Sequence, residues 1–135
     1  MIKEKEFKHA TIYLTPQQGT ALVEATASYI PLEKFKEIFN YIGELTENKK
    51  LTKLIFDKRK LSVFHQPSME WYFAEWKEKM FDVGLTIHRK ILPHDDVFRQ
   101  SVRIGREKIN KAYPTKKYHL MDIQYADSVE DALSK

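Results

Sequence analysis

LTKLIFD, residues 51–57, is a compact apolar run of strand length that follows the polar triplet Asn48-Lys49-Lys50. Residues 54–56 contain no polar side chain, which is typical of a strand buried on both faces of a parallel sheet. Parallel strands are joined by crossover connections, usually helices, and not by tight turns. Residues 51–57 therefore predict a βαβ arrangement, with a helix on either side in the sequence.

Helical patterns lie on both sides of this strand. Before it, apolar residues recur at helical spacing in a helix that begins near Pro31 and ends near Asn48: Phe35, Ile38, Phe39, Ile42 and Leu45. After it, a second stripe begins at Pro67 and ends at Gly84: Met69, Tyr72, Phe73, Trp76, Met80 and Val83. A third helix, capped by Asp95 or Asp96, is predicted to end before Pro114.

The remaining segments complete an α/β domain. Residues 7–14 and 20–27 are predicted strands joined by a turn that contains Pro16 and Gly19, which indicates an antiparallel hairpin. Residues 85–92 and 119–125 are further predicted strands, and a short final helix opens near residue 127. The order ββαβαβαβα predicts one domain over 1–135. We expect a mixed sheet, with the hairpin first and parallel strands after it, and about four helices.

Composition excludes several classes of function. The 135 residues include no Cys, which removes disulfides, thiolate metal sites and a Cys nucleophile. The four glycines are isolated, the histidines form no metal-binding pair, and no nucleophile elbow occurs. We therefore expect no metal, no cofactor and no enzymatic activity. No stretch is apolar enough to span a bilayer, and residues 1–9 lack the apolar run of a signal peptide, so we expect a cytoplasmic protein.

The strand Lys53–Asp57 with Lys58-Arg59 after it, the aromatic helix Met69–Trp76 and the opening hairpin together resemble the SpoIIAA-like, or STAS/SEC14-like, small α/β domains. This resemblance implies a mixed sheet of four or five strands and a role in protein–protein regulation or small-ligand binding. Regulatory STAS proteins are phosphorylated on a serine in Asp-Ser-Ser-Gly at a helix start. Here the matching stretch lacks the tandem serine and the glycine, and Ser68 is at best a displaced substitute.

Five residues are candidates for ligand or partner binding. Asp57 and Arg59 follow the central strand, and they either orient a ligand or anchor the loop through a charge-assisted hydrogen bond. His65 and Ser68 lie at the start of the second helix. His65 either binds a polar or anionic ligand or is satisfied by backbone and water. Trp71 is either a core residue or part of an interface, for example with a second copy of the chain.

The basic excess of the chain belongs to one segment. Residues 88–118 carry a net charge of +6, whereas residues 1–87 carry +1 and residues 119–135 carry −3. Arg99, Arg103 and Arg106 fall at i, i+4 and i+7, on one face of the third helix, with Lys111 further along. These residues either bind an anion or solvate the outer face of an amphipathic helix.

The sequence thus favours a non-catalytic regulatory or binding domain. Its partner protein or small ligand is expected at the loops that follow the strands and at the start of helix 67–83. The alternative, ranked lower, is binding of nucleic acid or an anionic surface through the basic helix 96–112.

Overall fold

A computed structural model describes all residues, 1–135. Six strands form one sheet in the order of the sequence. The first strand pairs antiparallel with the second, and the second with the third, whereas the third to sixth strands pair parallel with one another. This arrangement confirms the predicted α/β class with a mixed sheet. The strands are β1 (Ile2–Glu6), β2 (Ala10–Leu14), β3 (Thr20–Ala25), β4 (Lys53–Asp57), β5 (Ile87–Ile91) and β6 (Asp122–Tyr125).

The helices follow the predicted order, and one of them is interrupted. They are α1 (Leu32–Lys49), α2 (Gln66–Trp71), α3 (Lys77–Asp82), α4 (Asp96–Ala112) and α5 (Val129–Ser134). A π-helical turn at Tyr72–Trp76 joins α2 to α3, so that residues 66–82 form one helical segment. Asp95 caps α4, because its side chain accepts hydrogen bonds from the backbone N–H groups of Val97 and Phe98.

The two faces of the sheet are covered differently. Because consecutive parallel strands are neighbours and crossovers are right-handed, α1, the 66–82 segment and α4 lie on one face. Leu54 and Phe56 of β4 belong to the large core on that face. Ile55 points to the other face and packs in a smaller core with Ala132 of α5. Residues 54–56 are therefore buried on both faces of the sheet, as their apolar sequence predicts.

One strand was not predicted from the sequence. β1 has the sequence IKEKE and pairs antiparallel with β2 at the edge of the sheet. Its side chains are mostly exposed, so it has no apolar alternation by which a strand is recognised, and charged residues on an edge strand discourage pairing with other chains. The predicted hairpin is confirmed as β2 and β3, in which Ile12 lies opposite Val23.

The last strand is shorter than predicted. Residues 117–120 form a 3₁₀ turn, and β6 begins only at Asp122. No helix in the protein combines the length and the apolar character needed to cross a membrane.

Gly105 lets α4 lie directly against the segment that leads into α2. A Cβ atom at this position would lie 2.5 Å from Phe64 Cζ and 2.5 Å from Gln66 Oε1. Gln66 Nε2 also donates a hydrogen bond to the carbonyl oxygen of Gly105 at 3.3 Å. The close approach therefore fixes α4 relative to the start of α2.

We expect Gly105→Ala to lower the free energy of unfolding by about 1–3 kcal/mol, because the new methyl group overpacks this contact. Gly43→Ala is the matched control, since Gly43 is also helical and its nearest neighbour is the flexible side chain of Met80, at 3.3 Å. Gly43→Ala is expected to change stability by less than about 1 kcal/mol, as helix propensity offsets the contact. Urea denaturation measures both, and equal losses at the two positions would contradict the close packing at Gly105.

Candidate functional site

Four basic side chains meet inside the molecule near the carboxyl ends of β4 and β5. Lys58 directly follows β4, Lys90 is on β5, Lys77 begins α3, and Arg106 comes from α4. Lys58 and Lys90 are 2% exposed and Lys77 is 0% exposed. We call these four residues the cation cluster. Ligands of α/β proteins commonly bind at the carboxyl ends of parallel strands, which is where this cluster lies.

The cluster is organised around an aromatic ring. The Nζ atoms of Lys77 and Lys90 each lie 4.3 Å from the centroid of Phe73, and the Cζ atom of Arg106 lies 4.5 Å from it. The Nζ atom of Lys58 lies 4.8 Å from the centroid of Phe56. Aromatic faces attract cations, so the rings supply part of the stabilisation that carboxylates normally give.

The π-helical turn places the helical part of the cluster. A π-helical turn contains one more residue than a normal helical turn, so the side chains after it are rotated about the helix axis relative to those before it. Such turns are frequent at functional sites. Here Tyr72, Phe73, Trp76 and Lys77 are all buried. Lys77 lies four residues after Phe73 and so shares its side of the helix.

No acidic group balances the cluster. None of its four residues takes part in an ion pair, and Lys77 Nζ and Arg106 Nε have no hydrogen-bond partner. Lys58 Nζ has only the sulfur of Met69, at 3.7 Å. An unpaired buried charge is costly, and the usual outcome is that the group loses its charge.

The pKa values of the three lysines follow from this environment. Burial, with the charge of Arg106 as the second cause, lowers the pKa of Lys58 to about 7. Burial and the neighbouring cations hold the pKa of Lys77 and of Lys90 well below the usual value. Burial also lowers the pKa of His88. His88 lies on the same face of β5 as Lys90, and its two ring nitrogens have no hydrogen-bond partner. Burial therefore disfavours the charged form of all three lysines of the cluster.

A buried cation on the opposite face of β5 is treated differently. Arg89, between His88 and Lys90, is 2% exposed, and its Nη2 atom lies 3.0 Å from Oδ2 of Asp122. The Nη1 atom donates to the carbonyl oxygens of His88 and Asp122, both at 3.0 Å. Neighbouring positions of one strand therefore hold a paired cation and an unpaired one.

Asp57 and Arg59 lie away from the cluster. Arg59 Nη2 donates to Asp57 Oδ2 at 2.8 Å, and Arg59 Nε donates to Asp57 Oδ1 at 3.0 Å. Because side chains alternate along the chain, Asp57 points to the α5 face and Lys58 to the helical face. The pair is a bidentate anchor for the loop after β4.

Of the other three predicted binding residues, two lie beside the cluster. His65 Nδ1 and Ser68 Oγ are 2.8 Å apart at the start of α2, and together with Lys58 they line a gap of about 20 Å³. Trp71 lies on the outer side of the helical segment, half-buried, with its ring perpendicular to that of Phe35. The five residues therefore occupy three separate places.

The predicted anion-binding residues of α4 are divided in a similar way. Arg99, Arg103 and Arg106 line a cleft of about 780 Å³ between α4 and β6, which we call the α4–β6 cleft. Lys111 is exposed and does not line it. Arg106 lies between the cleft and Phe73, so it belongs to both the cleft and the cation cluster.

Sequence analysis missed Lys58, Lys77, Lys90 and His88. Two signals were present. Lys77 falls at helical spacing inside the apolar stripe of its helix, four residues after Phe73. His88 and Lys90 occupy alternate positions of a predicted parallel strand, and such strands are usually buried on both faces, where charged residues are rare. In both places a basic residue occupies a position where the pattern favours an apolar one.

Comparisons of the chain with models of protein families, with curated proteins and with solved structures found no match. The resemblance to SpoIIAA-like domains therefore stays a prediction. No group of three or more His, Asp or Glu side chains is placed to hold a metal ion.

We expect the free energy of unfolding to rise from pH 7 to pH 9. In this range the unfolded chain binds protons at lysines with a normal pKa, near 10.5, whereas the folded chain binds fewer because its lysine pKa values are lowered. The resulting gain in the free energy of unfolding is fully present above pH 10.5, where the lysines of the unfolded chain are neutral too. This gain is lost as the pH falls toward 7. Each lysine that stays neutral in the fold makes this rise steeper.

Urea denaturation at several pH values measures this slope. Lys77→Met should make it shallower, while Lys79→Met, an exposed lysine of the same helix, should leave it unchanged. Stability that is flat or falls between pH 7 and pH 9 would show that the buried lysines keep normal pKa values.

Proposed function

We propose that the protein is a non-catalytic binding protein for a small oxyanion, which is held by the cation cluster. One observation carries this proposal: four basic side chains are gathered around aromatic rings with no acidic partner among them. An entering anion supplies the missing partner.

Energetics support a functional role for the cluster. Buried basic groups without a partner destabilise a fold, and replacing them by apolar side chains of similar size is often neutral or stabilising. Buried basic groups without an acidic partner are therefore expected mainly where they bind a ligand. Ammonium and guanidinium groups donate short, charge-assisted hydrogen bonds to oxyanions, which are about twice as strong as neutral ones.

The direction of the donors favours a tetrahedral oxyanion such as phosphate or sulfate. Lys58 and Lys90 approach from the sheet, Lys77 from α3 and Arg106 from α4. Donors that converge from three elements suit an anion with oxygens in several directions better than a planar carboxylate. His65 and Ser68, beside Lys58, are placed to add hydrogen bonds from the start of α2.

This proposal retains the position predicted from the sequence, the loops at the carboxyl ends of the strands and the start of helix 67–83. It differs in the residues that bind: the cation cluster takes the place of Asp57 and Arg59, which hydrogen-bond to one another on the opposite face of the sheet. Membership of the SpoIIAA-like family and a cytoplasmic location stay predictions. So does a homodimer or partner contact at the half-buried Trp71.

Nucleic-acid binding through α4 is the rival proposal. It is weakened because Arg106 turns inward over Phe73, so that fewer of the four basic residues are presented to an extended surface. The two proposals differ in salt dependence, since neutralising several backbone phosphates makes affinity fall steeply with salt.

The decisive variant is Lys77→Met, with Lys79→Met as its control on the same helix. Without added anion, Lys77→Met should be more stable than the wild type by about 1–3 kcal/mol, because an apolar side chain replaces an unpaired buried amine. Phosphate should raise the unfolding temperature of the wild type and of Lys79→Met in a saturable way, as expected for a ligand that binds only the folded state. Lys77→Met should lose this response.

Thermal unfolding and isothermal titration calorimetry with phosphate and with sulfate provide the measurements. The proposal is wrong if the wild type binds neither anion, or if Lys77→Met binds phosphate as tightly as the wild type does. A Lys77→Met protein that is less stable than the wild type would show that the amine is a structural group.

A further inference from the structure

The α4–β6 cleft lies directly beside the cation cluster. Lys90 is paired in register with Tyr125 of β6, and Tyr125 lines the cleft. Arg106 forms part of the cleft wall and covers Phe73 on the inner side. Its long side chain is half-buried. The cleft therefore borders the cation cluster at Arg106.

The cleft also contains acidic groups that the fold does not use. Asp96, Glu107 and Asp127 line it with Arg99 and Arg103, yet none of these side chains forms an ion pair within the protein. Arg99 is held by a hydrogen bond from its Nε atom to the carbonyl oxygen of Pro93, at 2.9 Å. Opposite charges thus face one cleft without pairing, which leaves their hydrogen-bonding capacity free for a ligand.

We propose that the ligand is the phosphate monoester of a polyhydroxylated molecule, such as a sugar phosphate, with its phosphoryl group in the cation cluster and its hydroxyl-bearing body in the α4–β6 cleft. This inference rests on the proposed oxyanion-binding function and specifies its ligand class. The cleft, at about 780 Å³, is in the range of small-molecule sites.

Charge favours a phosphate monoester at the inner end. Such a group carries a charge of about −1.5 to −2 at pH 7 and has three acceptor oxygens, so it can satisfy several cations at once. Because the lysines of the cluster have lowered pKa values, they gain protons as the phosphoryl group arrives.

The lining of the cleft favours hydroxyl groups on the rest of the ligand. Carboxylates accept hydrogen bonds from hydroxyls, and Glu107 and Asp127 provide them on two sides of the cleft. A second anionic group would be repelled by these carboxylates, and a purely apolar body would leave them unpaired. The ring of Tyr125, 50% exposed, offers an apolar face for the C–H side of a sugar ring.

Calorimetric titration of the full chain with four probes tests this inference: inorganic phosphate, butyl phosphate, glucose 6-phosphate and glucose. We expect glucose 6-phosphate to bind about tenfold more tightly than inorganic phosphate or butyl phosphate, which corresponds to one or two additional hydrogen bonds to charged groups. Glucose alone should show no measurable binding, since it lacks the phosphoryl group.

The double variant Glu107→Gln/Asp127→Asn separates recognition of hydroxyls from general electrostatics. Removing two negative charges should leave the affinity for inorganic phosphate unchanged or higher, whereas the affinity for glucose 6-phosphate should fall about tenfold. Glu130→Gln, an exposed glutamate on α5 outside the cleft, is the matched control and should alter neither affinity.

The outcomes distinguish the two proposals. If inorganic phosphate binds and glucose 6-phosphate binds no more tightly than butyl phosphate, the ligand class is wrong and oxyanion binding stands. The same conclusion follows if the double variant binds glucose 6-phosphate as tightly as the wild type does. If none of the phosphorylated probes binds, the proposed function itself is wrong.

Discussion

The burial of basic side chains around Phe73 is the constraint on which the rest of the structure depends. Lys77 and Lys90 are buried against the ring of Phe73, and neither forms an ion pair within the protein. The sheet fixes Lys90, and the π-helical turn fixes Phe73 and Lys77. Gly105 allows α4 to lie against the start of α2, because a Cβ atom there would come within 2.5 Å of both Phe64 and Gln66.

β5 shows that the missing partners are not a general property of this protein. Arg89, on the α5 face, meets a carboxylate and several carbonyl oxygens, as buried cations in proteins usually do. Lys90, one residue later on the helical face, meets a ring and other basic groups. The same strand therefore holds one cation that is paired within the protein and one that is not.

The sequence predicts the architecture well because the fold is determined by local periodicity. The apolar run at 54–56 and the stripes of α1 and the 66–82 segment each follow one period, and the structure confirms the elements they predict. β1 escapes prediction because an exposed edge strand has no apolar alternation.

Most residues of the cation cluster are not singled out by the sequence, for a physical reason. The sequence favours polar residues in loops, such as Asp57 and His65, as binding residues. Lys77 lies within a predicted helix and Lys90 within a predicted strand. Only the three-dimensional packing shows that both contact Phe73 and that Lys77 Nζ has no hydrogen-bond partner. Arg106 was identified, although as part of an outward basic face.

The central claim is that the interior lysines lose protons in the free protein and regain them when an anion binds. Calorimetric titration with sulfate at pH 8, in buffers of different ionisation enthalpy, counts the protons taken up, and sulfate itself does not titrate at this pH. The account predicts net uptake of about one proton or more per sulfate bound, because Lys58 has a pKa of about 7 in the free protein. Sulfate binding without proton uptake would contradict it.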